Sequence, residues 1–82
     1  MFNEQIKHLN KNNKLSALAH KRYMTIYARK YNNENYNKKD NLFKMEYHNL
    51  MLKEIIKNGK PNTNRKKEIY NYAKKISNSY YK

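Results

Sequence analysis

The chain has 82 residues and a formal net charge of +13, from 19 Lys and Arg set against 6 Asp and Glu. That length holds one domain with a small core and not two. The absence of Cys excludes disulfide staples and a thiolate zinc site. A compact domain so charged repels itself and is eased by a polyanion. Nucleic acid ranks first as partner, ahead of an anionic membrane surface or an acidic protein face. Lys, Asn, Tyr and Ile share AT-rich codons, which explains part of the bias but not the scarcity of acids. Met1 is followed by the polar stretch Asn3-Glu4-Gln5. The expectation is therefore a chain without leader or membrane span, located in the cytoplasm.

One Gly, one Pro and no Val argue against a sandwich or barrel and for an all-α fold. The first predicted helix covers 3–10, with Phe2, Ile6 and Leu9 at helical spacing. The run Asn10-Lys11-Asn12-Asn13 is read as a break. A second helix over 14–31 is apolar on two sides: Leu15, Leu18, Ala19 and Ile26 on one, and Ala17, Met24, Tyr27, Ala28 and Tyr31 on the other. Such a helix is sandwiched between neighbours or shared with a second copy, so the latter five residues are the candidate dimer or packing face and a homodimer is expected. A polar loop over 32–40 follows. Asp40 or Asn41 is placed to cap a third helix over 41–58, the most apolar of the set, which ends at Gly59 and Pro61. Asn62, Thr63 or Asn64 restarts the chain into a fourth helix over 64–79, with Ile69, Tyr72, Ala73, Ile76 and Tyr80 inward. The expected architecture is a small bundle of three long helices plus a short N-terminal one.

The fourth helix carries the principal basic face. Steps of 100° bring Asn64, Lys67, Asn71, Lys74, Lys75 and Asn78 onto one outward surface, with Arg65 and Lys66 in the first turn. Lysines supply point charges for phosphate oxygens, and Asn can pair with an adenine edge in the major groove. Tyr70 and Tyr81 flank the row and can stack on an exposed base. The bland alternative is an ordinary solvated helix face, but Glu68 is the single acid among these cations, whereas surface helices usually interleave both signs. A secondary basic cluster comprises Lys21, Arg22, Arg29 and Lys30 beside His20 on the second helix, with Lys38 and Lys39 in the loop. A helix-turn-helix register with Gly59 as the turn fails, because its apolar positions fall on Arg65 and Glu68.

Catalytic signatures do not emerge. His8, His20 and His48 are not paired at i, i+3 or i+4, one Gly forbids a glycine-rich phosphate loop, and neither metal nor cofactor is expected. Glu46 and Glu54 are read as partners of nearby lysines. A binding protein is expected, not an enzyme. The leading function is nucleic-acid binding, DNA before RNA, as a regulator or accessory factor of a phage or other mobile element. The alternative is a phage-type inhibitor, anti-CRISPR-like, that covers an acidic surface of a nucleic-acid enzyme or defence complex. A membrane-surface role is not expected, since no segment joins a Lys face to a bulky apolar one.

Overall fold

The computed structural model describes residues 2–81, which form four helices and no strand. They are α1 (Phe2–Lys7), α2 (Lys11–Asn33), α3 (Lys38–Asn58) and α4 (Thr63–Tyr80). The all-α bundle of three long helices and a short first one is the architecture expected from composition. Its boundaries differ from the sequence reading where Asn clusters occur. Asn10 is the N-cap of α2: its side-chain oxygen accepts from the Asn13 amide at 2.8 Å, so the supposed break is the helix start. Asn62 caps α4 in the same way, accepting from the Arg65 amide at 2.8 Å. The loop shrinks to residues 34–37 because α2 runs on to Asn33 and α3 begins at Lys38.

The cap of α3 lies earlier than either expected residue. Asn37 precedes the helix at φ 57°, a left-handed conformation that Asn tolerates better than most residues. Asn41 is instead buried in the first turn, and its side-chain nitrogen finds no partner among the described residues. Gly59 ends α3 as foreseen. Its φ of 86° with ψ of −174° is a region open essentially to Gly alone, and its amide donates to the Ile55 carbonyl at 3.0 Å.

Helix α3 is the middle element, flanked by α2 on one side and α4 on the other. Short connections make both pairs antiparallel, and the assembly measures 38 × 27 × 16 Å. At one end, Ile6, Ala17, Leu52 and Ile55 form the main core, with Phe2, Leu9, Met24 and Ile56 packed around it. Leu42, Met51, Ile69 and Ala73 are also buried. At the other end the Tyr31 and Tyr81 hydroxyls meet at 2.6 Å, tying α2 to the end of α4.

Burial distinguishes the two apolar sides of α2 and shifts the inward row of α4. Ala17 is fully buried, and Met24, Tyr27, Ala28 and Tyr31 are partly buried, which makes that side of α2 its packing face. The opposite side leaves Leu15, Leu18 and Ile26 exposed. On α4 the buried row is Ile69, Ala73 and Ser77, at i, i+4 and i+8. Small Ala73 and Ser77 let the helix backbones approach closely, and that rotates Tyr72 and Tyr80 out to the rim, where they are 58% and 74% exposed. Ser77 meets its own hydrogen-bonding need by donating to the Lys74 carbonyl at 3.0 Å.

Candidate nucleic-acid interface

On α4, Asn64, Lys67, Asn71, Lys74, Lys75 and Asn78 are all exposed, and so is Lys66 in the first turn. Arg65 is exposed too, but it is occupied. Its Nε and Nη2 both donate to one Glu54 carboxylate oxygen, at 3.1 and 2.9 Å, and Nη1 lies 3.7 Å from Glu68. Asn58 donates to the other Glu54 oxygen at 2.9 Å, and together these partners hold the Glu54 carboxyl below its ordinary range. Arg65 thus braces α4 against α3. With Asp40 paired to Lys44 at 3.0 Å, the remaining α4 lysines, Lys66, Lys67, Lys74 and Lys75, have no carboxylate partner among the described residues.

One of these lysines, Lys74, joins α4 to a row of rings that crosses the three long helices. Tyr23 of α2 stacks on His48 of α3 with centroids 5.0 Å apart and planes 24° apart. Tyr27, one turn on, lies parallel to His48 at 5.9 Å. His48 meets Tyr47 edge-on at 5.3 Å, and Tyr47 meets Tyr70 of α4 edge-on at 6.2 Å. Phe43 closes the row with an edge contact to Tyr70 at 5.0 Å. The ammonium of Lys74 lies 5.8 Å from the Phe43 centroid and 5.6 Å from that of Tyr70. Lys30 and Lys44 sit 5.5 and 5.3 Å from the Tyr27 centroid, so cations ride on the rings instead of trailing into solvent.

At the centre of the row, His20 and His48 share a hydrogen bond between their Nδ1 atoms at 2.8 Å. One nitrogen must carry the hydrogen and the other accept it, so the pair forms only while at least one ring is neutral. Burial lowers the pKa of both, with Lys66 adding to the effect on His20; burial and the charge of His20 bring His48 to about 4. Among the described residues no third His, Asp or Glu joins them as a metal site would require.

No family model matches the chain, and neither a curated protein nor a solved structure matches it significantly.

The residues of the secondary basic cluster lie in different surroundings. Lys30 joins the ring row over Tyr27. Arg29 instead lines a groove on the other side of the α2–α3 pair with Met24, Ala28, Met45, Glu46 and Asn49. Lys21 donates to the Asn3 side chain, and Lys38 donates to the Tyr31 carbonyl and lies 4.8 Å from that ring, so both serve the fold. Arg22 and Lys39 are exposed. Sequence spacing overlooked Phe43, Lys44, Tyr47 and His48 as surface residues. The pairing of His20 with His48, 28 residues apart, is created by the antiparallel packing of α2 on α3 and leaves no local spacing signal.

Proposed function

We propose that the protein binds nucleic acid, with DNA as its partner, through the outward row of α4 and the lysines beside it. The observation that carries this is the unpaired state of Lys66, Lys67, Lys74 and Lys75 in a chain whose Glu54, Glu68 and Asp40 are already paired elsewhere. Four cations held on one helix, on a chain of net charge +13, raise each other's electrostatic energy, and phosphates lower it. Lysine ammoniums position the backbone, and Asn71, between Lys67 and Lys75 on the same face, is placed to read an adenine edge. Small size and AT-rich codon usage support a regulator or accessory factor of a phage or other mobile element. The work is binding, not catalysis.

Replacing Lys67, Lys74 and Lys75 together by Ala tests it. None of the three is in an ion pair, so the melting temperature should move little, each change staying within about 0.5 kcal/mol. Affinity for DNA should fall tenfold or more. The parent's log–log salt slope, roughly −5 to −7 for six to eight phosphate contacts, should become shallower by up to about 3. A triple variant that binds DNA as tightly as the parent would remove the proposal and turn attention to an acidic protein surface.

The same proposal includes a symmetric dimer. Leu15, Leu18 and Ile26 are exposed on a face of α2 that no other helix covers among the described residues, and a second copy would present the same face in return. Sedimentation at tens of micromolar should report twice the 10.1 kDa chain mass, and a monomer there would remove self-association.

A further inference from the structure

The ring row is more than internal packing. Its end members on α2 and α4, Tyr23 and Tyr70, are 48% and 43% exposed, so each has surface left for a further contact. Between them lie three centroid steps of 5.0, 5.3 and 6.2 Å, through His48 and Tyr47, a width that accommodates a few nucleotides. Lysine ammoniums stand along this row: Lys30 and Lys44 at Tyr27, Lys74 at Tyr70 and Phe43, and Lys66 close enough to His20 to disfavour its charge. Lys44 is itself paired with Asp40 at 3.0 Å, which leaves Lys30, Lys66 and Lys74 as the ammoniums along the row without a carboxylate partner among the described residues. Glu46, Asn49 and Lys53 point the other way, because 100° steps place them across α3 from Lys44 and Tyr47.

Partly exposed rings interspersed with ammoniums match the chemistry of an unpaired strand, which offers base faces and phosphates together. A duplex hides its base faces in the stack and offers only edges and phosphates, which the α4 row alone can meet. We infer that the ring row is a second, distinct subsite that takes unpaired DNA bases on Tyr23 and Tyr70 while the flanking lysines hold the strand's phosphates. This rests on the nucleic-acid proposal above and adds to it a preference for single-stranded over double-stranded DNA.

The test uses the full chain, a labelled twelve-nucleotide single strand of DNA, its duplex and the RNA of the same sequence, titrated at one fixed salt concentration. The variants are Tyr23→Leu with Tyr70→Leu, which keep apolar bulk and helix propensity but remove the stacking surface. The parent should bind the single strand at least tenfold more tightly than the duplex. The double Leu variant should lose tenfold or more on the single strand and less than threefold on the duplex, with its salt slope and helical circular dichroism unchanged. Equal losses on both DNAs, or no loss on either, would overturn the stacking subsite. If the lysine variant then still weakens both DNAs, nucleic-acid binding itself survives. RNA bound tenfold more tightly than the DNA strand would overturn the assignment to DNA, and a parent that binds none of the three would overturn both proposals.

Discussion

Leu52→Ala is expected to remove about 2–5 kcal/mol, a large share of the domain's stability, and to lower its melting temperature steeply. Leu52 is fully buried in the cluster with Ile6, Ala17 and Ile55, where α1, α2 and α3 meet. Truncating a buried Leu removes apolar transfer energy and leaves a cavity, about 2–5 kcal/mol together. A domain of this size commonly has only about 4–12 kcal/mol in total. The reach of the effect is structural: Leu52 is a shared contact, so its loss loosens three helices at once. Leu18→Ala is the control, since Leu18 is exposed and the change should stay within about 0.5 kcal/mol in a dilute monomeric sample. Thermal unfolding followed at 222 nm separates the two. Similar melting temperatures for both variants would mean that the core lies elsewhere.

Acidification should destabilise the fold between pH 7 and pH 5, before most carboxylates titrate. His20 and His48 both have folded-state pKa values below the ordinary 6.5, and that of His48 is about 4. The unfolded chain therefore takes up protons first as pH falls through 6.5, and the folded pair resists. Stability is complete above 6.5 and declines steadily toward the folded pKa. The groups facing the pair are Tyr23 and Tyr27 of α2, Tyr47 of α3 and the Lys66 ammonium from α4, and none supplies a compensating negative charge. Discounted for partial solvent access, the loss is on the order of 1–2 kcal/mol by pH 5, or roughly 5–15 °C in melting temperature. His48→Gln should flatten that slope by at least half. A parent melting temperature that is level from pH 7 to pH 5 would contradict the half-buried, hydrogen-bonded pair.

Much of the fold was legible in the residues. Apolar spacing of three and four, one Gly and no Val led to helices, and Gly59 with Pro61 marked the α3–α4 corner. Asn misled at the boundaries because the same residue breaks, caps and continues helices. Asn10 and Asn62 cap, while Asn41 is buried within α3. The inward row of α4 was misjudged because hydrophobicity ranks Tyr72 and Tyr80 above Ser77, whereas close helix packing favours the smallest side chain. Of the site, the α4 lysines were legible because a single helix places them together. The ring row was not, since Tyr23, His48, Tyr47 and Tyr70 come from three helices and meet only when α2 and α4 flank α3. Arg65 illustrates the same limit: its charge is in the sequence, but its engagement by Glu54 follows from the antiparallel α3–α4 corner.

Nucleic acid is proposed to meet one particular side of this molecule, the ring row and the adjoining α4 surface. Backbone amide chemical shifts recorded while single-stranded DNA is added test that claim directly. Signals of Tyr23, Tyr27, Lys44, Tyr47, Tyr70, Asn71 and Lys74 should move and saturate together, while those of Glu46, Asn49 and Lys53 across α3 stay in place. Shifts spread evenly over every lysine, or centred on Lys53 and Lys57, would contradict it.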